Sequence, residues 1–175
     1  YVGSTGFVGS QGYTGYVGSK GDIGFTGSQG PQGTFGGAAF EYYYSANNVD
    51  GNPSSGYLRF DTTDLSSVSM MYISFSDYTS ANVYNFLQTI DDSTSNIKGH
   101  FSLADKSNTQ NYSLFSIVGT HYHHDNYFEV PVSFVSGTTS FLDNTDTVIT
   151  FARTGDIGDT GYTGSQGFTG YTGSQ

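Results

Sequence analysis

Glycine occupies every third position of this chain over two long stretches, one at each end. The period runs without a miss through the first 36 residues and returns from residue 155 onward. A strict three-residue glycine period is what a collagen triple helix requires, because three extended chains share one crowded axis and only a residue without a Cβ fits there. The glycines that we expect on that axis are Gly3, Gly6, Gly9, Gly12, Gly15, Gly18, Gly21, Gly24, Gly27, Gly30, Gly33, Gly36, Gly155, Gly158, Gly161, Gly164, Gly167, Gly170 and Gly173. The sequence therefore predicts two collagen-like arms, 1–36 and 155–175, that flank a different kind of segment.

Proline, which normally stiffens such arms, is nearly absent from them. Pro31 is the one proline in the two stretches, whereas collagen-like chains usually contain about 15–20% or more proline and hydroxyproline. We therefore expect order to come from β-branched and aromatic side chains and from trimerisation of the segment between the arms. The alternatives are flexible linkers and a bundle of polyproline II strands within one chain. A linker has no reason to keep glycine in phase, and neither arm contains the turns that a bundle needs.

Between the arms, over residues 37–154, the period changes from three to two. Phe40, Tyr42 and Tyr44 alternate with more polar neighbours, which is typical of a strand with one buried face. Further segments rich in strand-forming residues are separated by polar turns, and they cover residues 57–60, 70–75, 97–103, 112–118, 127–135 and 147–153. Seven or so short strands in a segment of this length predict one β-sandwich or jelly-roll-like domain.

One short stretch of the central segment has helical spacing. Its apolar residues Val83, Phe86, Leu87 and Ile90 lie at i, i+3, i+4 and i+7, which predicts an amphipathic helix that packs across an open end of the β domain. Ser80 is the expected N-cap. Three-fold symmetry in the arms would impose itself on the domain that they connect. The predicted fold is thus a homotrimer, fibrous in its arms and all-β with one short helix between them.

Charge and composition exclude several classes of partner. The formal net charge is −10, and the central segment holds twelve acidic residues against four Lys and Arg, so nucleic acid is not an expected partner. The chain has no cysteine for disulfides or thiolate metal sites, and no segment approaches the roughly 18 apolar residues of a membrane span. Because both ends of the sequence fall inside a repeat, we expect it to be an excerpt of a longer polypeptide.

One cluster of side chains has metal-ligand character, at residues 121–125. In a trimer with this cluster near the axis, His121 and His123 could coordinate a transition metal. The more ordinary explanation is a polar hairpin loop between two strands, and we favour it. Asp91 and Asp92 could hold a divalent cation loosely, although they lack the spacing of an EF-hand loop. The more ordinary explanation is a helix end that is exposed to solvent. We predict no other cofactor.

The sequence contains none of the local arrangements that mark common catalytic sites. There is no G-x-S-x-G elbow, no phosphate-binding loop and no evident pair of catalytic carboxylates, and these are the patterns that hydrolases and nucleotide enzymes require. We therefore predict that the chain is not an enzyme.

Three stretches of sequence resemble a known class of proteins. They are GYTGSQGFTGYTGSQ at 161–175, FLQTIDDSTSNIKGHF at 86–101 and VITFARTGDIGDTG at 148–161. Together they are similar to collagen-like repeat proteins of marine bacteriophages, notably those that infect cyanobacteria, in which such triplets alternate with β-rich modules of tail fibres or other virion appendages. The resemblance implies a homotrimeric fibre on a virion or an extracellular surface, with host-surface contact as one of its roles. It identifies no binding residue.

These observations lead to two functional hypotheses. The first is a structural segment of a trimeric extracellular or virion fibre, in which triple-helical shafts space a trimerising β domain and further copies lie along or beside the fibre. The alternative is a receptor-binding adhesin module that recognises a host-surface glycan or protein. A fibre-borne enzyme that degrades glycans is the least supported, because no carboxylate pair suits it.

Overall fold

A computed structural model of the chain describes residues 37–158. The two predicted collagen-like arms therefore lie outside the described residues, except for residues 155–158 at the start of the second arm. Eight strands are present in the described part: β1 Ala38–Ser45, β2 Tyr57–Phe60, β3 Met70–Ser74, β4 Gly99–Asp105, β5 Tyr112–Ile117, β6 Tyr122–His123, β7 Tyr127–Gly137 and β8 Thr145–Arg153.

Seven of these strands close into a barrel. Their order around it is β3-β2-β1-β8-β4-β5-β7, and β3 pairs with β7 to close the ring. The β1–β2 pair is parallel and the remaining pairs of the ring are antiparallel. The short β6 adds to an edge of β7. The predicted β class is thus confirmed, but the strands form one closed barrel instead of two facing sheets.

Strand β7 is the element that makes closure possible. It is eleven residues long, and its first half pairs with β3 between residues 127 and 131. Its second half pairs with β5 between residues 132 and 137 on the opposite edge, across a register shift at Leu114 and Phe115. A bulge of this kind bends a strand and increases its twist, which favours closure over two flat layers.

The barrel interior is built from alternating apolar residues of every strand in the ring. Aromatic rings dominate it: Phe115 stacks on Phe60 at 5.1 Å and on Phe101 at 4.8 Å between ring centres. The core residues with essentially no exposure include Tyr42, Tyr44, Leu58, Phe60, Met71, Ile73, Phe101, Leu103, Phe115, Phe128, Val130 and Ile149. Because such side chains lie on one face of each strand, the period-two pattern in the sequence is the direct cause of this core.

The strand predictions agree with the structure to within two residues at each boundary. The exception is β6, which the sequence did not predict. It has two residues, Tyr122 and His123, and both are exposed. A strand this short contains no alternation that a pattern could detect.

The predicted helix is present but is only one turn long. It is α1, Tyr84–Leu87, and the Phe86 ring lies 4.8 Å from Phe40 and 5.6 Å from Phe151. The helix therefore covers the end of the barrel where β1 begins and β8 ends. No helix within residues 37–158 is long and apolar enough to cross a membrane.

The expected N-cap of this helix was wrong. The capping position is Val83, which provides no side-chain hydrogen bond, and the backbone N–H of Tyr84 donates to Asn82 Oδ1 at 2.9 Å instead. Ser80 has a positive φ of 66° and belongs to the preceding turn, where its N–H donates to the Asp77 carbonyl. The turn thus ends before the helix begins, and Asn82 takes the role of a local acceptor.

The barrel's first and last strands are neighbours. In the antiparallel pair β1–β8, Ala38 is opposite Phe151, so the chain enters and leaves the barrel at the same end. The entry is tightly packed, since a Cβ built on Gly37 would lie 2.9 Å from the Phe151 carbonyl oxygen. The two points at which the glycine periods meet the barrel therefore lie side by side.

The exit of the chain from β8 is held by hydrogen bonds to the loop before β4. Ser93 and Ser95 each donate from Oγ to the Gly155 carbonyl, at 3.0 and 2.8 Å. The Thr94 N–H donates to Asp156 Oδ1 at 3.0 Å, and the Ile157 N–H donates back to Thr94 Oγ1 at 2.9 Å. The hydrogen bonds of the barrel thus extend past residue 154, where the sequence placed the domain boundary.

Candidate functional site

The two histidines predicted as metal ligands lie in the segment between β5 and β7, as the favoured hairpin interpretation expects. His121 is bound to Asp91: its Nδ1 lies 2.8 Å from Asp91 Oδ1, and its backbone N–H donates to Asp91 Oδ2 at 2.6 Å. The Asp91 side chain is 4% exposed. This pair ties the segment to the loop that follows α1. Asp91 is therefore buried and hydrogen-bonded to His121, whereas the sequence suggested an aspartate that is exposed to solvent.

His123 takes part in an aromatic cluster near the same end of the barrel. Its ring lies 5.5 Å from Phe75, 5.6 Å from Tyr84 and 5.6 Å from Phe128. Phe75 is also 4.7 Å from Phe128. Rings at these separations and tilts stabilise one another beyond the area they bury, so His123 has a packing role.

Metal binding has not been decided by this arrangement. Within the described range 37–158, no three His, Asp or Glu side chains converge as they would around a metal ion. The hypothesis that His121 and His123 bind a metal between chains of a trimer stays a prediction, as does a loosely held divalent cation.

The acidic turns of the sequence serve local hydrogen bonds. Asp64 Oδ1 accepts from the Ser66 N–H at 3.1 Å and caps a 3-10 turn at Leu65–Ser67. The Ser66 hydroxyl donates to the same oxygen at 2.7 Å, and this bond together with that from the N–H holds the pKa of Asp64 below its usual value. Asp143 Oδ1 accepts from the Ala46 N–H at 2.9 Å. Asp64 is thus explained by the turn that it stabilises, and Asp143 by its bond to the start of loop 46–56.

A row of polar and aromatic residues crosses the outer face of four strands. Arg59 of β2 is opposite Tyr72 of β3, Tyr72 is opposite Glu129 of β7, and Glu129 is opposite Tyr122 of β6. Directly opposed residues of antiparallel strands point to the same face. The neighbours of Arg59, Tyr72 and Glu129 along their strands are core residues, so this row lies on the outside of the barrel.

Two further residues complete this surface. The ring of His124 stacks on Tyr127 with centres 4.4 Å apart and planes 4° from parallel. His124 Nε2 lies 3.0 Å from Glu129 Oε2, which fixes the imidazole over the tyrosine. The His124 side chain is still 40% exposed, so this stack presents an open aromatic face to solvent.

An open groove of about 400 Å³ lies beside the stack. Loop 46–56 contributes Asn52, and the β6–β7 hairpin contributes the other lining residues, which are His123, His124, Asp125, Asn126 and Tyr127. The groove is thus lined by amides, a carboxylate and aromatic rings, with no aliphatic side chain. We call it the 123–127 groove.

Arg59 lies behind loop 46–56 and is unusual in its bonding. The residue is 7% exposed, and its Nε has no hydrogen-bond partner anywhere in the described part of the chain. Its guanidinium carbon lies 5.8 Å from the centre of the Tyr72 ring. Its Nη2 is 3.5 Å from where a Cβ of Gly51 would be, and Gly51 has a φ of +129° that favours glycine. Arg59 is therefore packed against the residue that precedes Asn52 of the groove.

The tyrosines of this surface remain protonated at neutral pH. Burial, with the negative charges of Asp50, Glu129 and Asp61, raises the pKa of Tyr72 to about 12, and Arg59 opposes that rise. Burial and the charges of Asp50 and Glu129 also raise the pKa of Tyr127. Tyr127, which lines the groove, therefore keeps a hydroxyl that can donate a hydrogen bond to a ligand oxygen.

Sequence reasoning identified the histidine cluster but missed the remaining residues of the groove. Arg59 sits in a segment predicted as a strand, where an arginine would ordinarily be exposed. Asn52 lies in a loop identified only as turn-rich. The one available signal was the concentration of His, Asp, Asn and Tyr in residues 121–127. The pairing of β2, β3, β7 and β6 that joins these residues is a long-range property.

Comparison with protein-family models, with curated proteins and with solved structures gave no match to this chain.

Proposed function

We propose that this chain is a structural segment of a homotrimeric fibre, in which the arms 1–36 and 155–175 wind with two other copies into triple helices. The observation that carries this proposal is the unbroken glycine period that reaches the barrel from both sides, at Gly36 and Gly155. Only a three-chain axis requires glycine at every third position. Further copies along or beside the fibre, and a virion or extracellular location, belong to the same proposal.

The junctions of the barrel are consistent with this role. Strands β1 and β8 are adjacent and antiparallel, so a repeating sequence can carry the barrel as an insertion without disturbing its strand pairing. Domains whose termini lie close together tolerate such insertion best. The bonds from Ser93 and Ser95 to Gly155 would fix where the second glycine period starts. Each barrel would thus set the register of the repeat that follows it.

The test is the oligomeric state and melting of the full chain. We expect a trimer by analytical ultracentrifugation and a polyproline II circular dichroism signal that is lost cooperatively as the trimer dissociates. Gly164→Ala should lower the temperature of that transition, because it places a methyl group at the crowded axis. Ser165→Ala, in the next position of the same triplet, is the matched control and should leave it unchanged. A monomer, or equal effects of the two substitutions, would contradict the fibre.

The second candidate is the adhesin, and the 123–127 groove is the observation that favours it. A fibre segment that only spaces other parts has no need for an open polar groove on its surface. The role of an enzyme is not proposed, because no pair of carboxylates or activated nucleophile has been identified in this groove.

A further inference from the structure

The size of the 123–127 groove suits a small ligand unit. Its volume of about 400 Å³ falls within the roughly 300–1,000 Å³ that is typical of small-molecule sites. It is open to solvent along its length, so one unit of a longer chain could occupy it while the rest of that chain extends outward. This geometry fits a polymer or oligomer better than an isolated metabolite.

The polar lining of the groove suits hydroxyl groups. Asn52 uses its Oδ1 to accept from the Ser54 N–H at 2.9 Å, which orients the side chain and leaves the amide N–H₂ to donate. Asp125 and Asn126 are exposed, and they supply a carboxylate that accepts and an amide that does both. Since a hydroxyl both donates and accepts, a mixed lining of this kind pairs with several hydroxyls at once.

The aromatic wall of the groove suits a ring with an apolar face. His124 and Tyr127 form a parallel stack at 4.4 Å, and the bond from His124 to Glu129 holds it in place. A sugar ring has C–H groups on one face and hydroxyls around its edge, so it can pack on such a stack while its edge reaches Asn52 and Asn126.

Arg59 provides an independent indication of a ligand. A buried donor without an acceptor lowers stability, and proteins rarely keep one without a reason. Its Nε is in that state among residues 37–158, and its guanidinium packs against Gly51, the residue before Asn52. Arg59 does not itself line the groove, so a ligand would act on it through loop 46–56, whose shift on binding would supply the missing acceptor.

The charge around the groove selects against acidic ligands. Asp125 lines it and Glu129 is bonded to His124 of its wall, and residues 37–154 hold twelve acidic against four basic side chains. A single arginine does not offset that field for an incoming anion. An uncharged polyhydroxylated ligand meets no such barrier.

We propose that the 123–127 groove binds a neutral glycan, whose ring packs on the His124–Tyr127 stack and whose hydroxyls pair with Asn52, Asp125 and Asn126. Arg59 is a positioning residue that holds loop 46–56 against the bound sugar. This inference deepens the adhesin candidate by naming the site and the class of ligand, and it does not depend on the fibre proposal.

The experiment measures binding of defined oligosaccharides to the full chain by isothermal titration calorimetry. The probes are neutral gluco-, galacto- and manno-oligosaccharides, with oligogalacturonate as the acidic comparison. We expect at least one neutral probe to bind and oligogalacturonate to bind at least tenfold more weakly. Tyr127→Ala and Asn126→Ala should each weaken the neutral probe's affinity about tenfold or more, which corresponds to about 1.4 kcal/mol.

Matched controls lie elsewhere on the barrel. Tyr112→Ala removes a tyrosine that is 46% exposed, at the start of β5. Asn96→Ala removes an exposed asparagine outside the groove. Both should retain the affinity of the unsubstituted chain. If Tyr127→Ala proves unfolded by circular dichroism, Asn126→Ala still decides the question, because its side chain is exposed and only its backbone carbonyl contacts Phe75.

Three outcomes would overturn the proposal. They are the absence of binding by every neutral probe, a preference for oligogalacturonate, and equal loss of affinity in the groove and control variants. Sedimentation of the same samples separates this inference from the fibre. A monomer that binds a neutral probe through Asn126 would support the groove and contradict the fibre, and a trimer that binds none would do the reverse.

Discussion

The interior of the barrel and its outer face over β2, β3 and β7 are both rich in aromatic residues, yet they treat polar groups differently. Inside, Tyr42 donates from its hydroxyl to the Ser74 carbonyl at 2.8 Å, and its own carbonyl accepts from Thr147 Oγ1 at 2.7 Å. Outside, Arg59 is almost as deeply buried but its Nε has no partner in residues 37–158. A buried polar side chain is thus fully hydrogen-bonded in the interior, whereas one on the outer face lacks a hydrogen-bond partner among residues 37–158.

This difference indicates which region the fold needs and which it tolerates. Stacked rings and satisfied hydroxyls lower the free energy of the folded state. An unpaired guanidinium raises it, and so does a cluster of carboxylates around one groove. The interior therefore accounts for stability, whereas the outer face is best explained by something that it binds.

Removal of a central ring should have the largest effect. Phe115 is fully buried between Phe60 and Phe101, so Phe115→Ala leaves a cavity and should reduce the free energy of unfolding by about 3–5 kcal/mol. Urea denaturation measures this loss. Tyr112→Ala, at an exposed position of the same strand, is the control and should remain within about 0.5 kcal/mol. Equal losses at the two sites would mean that the ring stack is not the centre of the core.

Removal of one hydroxyl from each region should give a smaller and unequal pair of effects. Tyr42→Phe deletes the buried bond to the Ser74 carbonyl and should cost about 1–2 kcal/mol. Tyr72→Phe deletes a hydroxyl on the outer face and should change the free energy of unfolding by less than about 0.5 kcal/mol. Thermal or urea unfolding of both variants is the measurement. A larger loss for Tyr72→Phe than for Tyr42→Phe would reverse the contrast between the regions.

Replacement of the buried arginine should test the outer face alone. Arg59→Met keeps most of the packing volume and removes an unpaired charge, so stability should stay constant or rise by about 1 kcal/mol. Loss of the contact with the Tyr72 ring offsets part of that gain. Arg59→Lys, which keeps the charge, should not be stabilised. A decrease of more than about 2 kcal/mol for Arg59→Met would make Arg59 a structural residue and remove the main support for a ligand.

The strands of the barrel were predictable because each has one buried face. Tyr42 and Tyr44 on β1, or Phe101 and Leu103 on β4, leave a period-two pattern in the local sequence. Closure was not predictable in this way, since a strand in a sandwich and a strand in a barrel have the same pattern. It depends on the pairing of Met71 with Val130, which lie far apart in the chain.

The candidate groove was predictable only in part. The cluster of polar and aromatic residues from His121 to Tyr127 is visible in the sequence, but local pattern could not separate His121, which binds Asp91, from His124, which stacks on Tyr127. Asn52 reaches the groove from loop 46–56, and Arg59 lies behind that loop, packed against Gly51. The Ser80 cap failed for a related reason, because its backbone conformation is set by the turn at Asp77.

High pH should produce an effect that is absent at neutral pH. Burial raises the pKa of Tyr42 far above its usual value and that of Tyr72 to about 12, so the folded state binds these protons more tightly than the unfolded state. Stability should therefore be fully present below about pH 10 and should fall as pH rises further, because the unfolded chain releases protons that the folded chain retains. Tyr72 adds to this loss of stability between about pH 10 and 12, and Tyr42 continues to add to it at higher pH.

Urea unfolding of the chain and of Tyr72→Phe, at several values between about pH 9 and 12, measures this dependence. The variant should lose stability less steeply than the unsubstituted chain above about pH 10, and the two should be equal below it. The difference reports directly on the outer face, since Tyr72 is held there by Arg59 on one side and Tyr127 on the other. If the two curves have the same slope, the Tyr72 hydroxyl is as accessible in the folded chain as in the unfolded one. The outer face would then be an open surface, and the contrast with the barrel interior would rest on Arg59 alone.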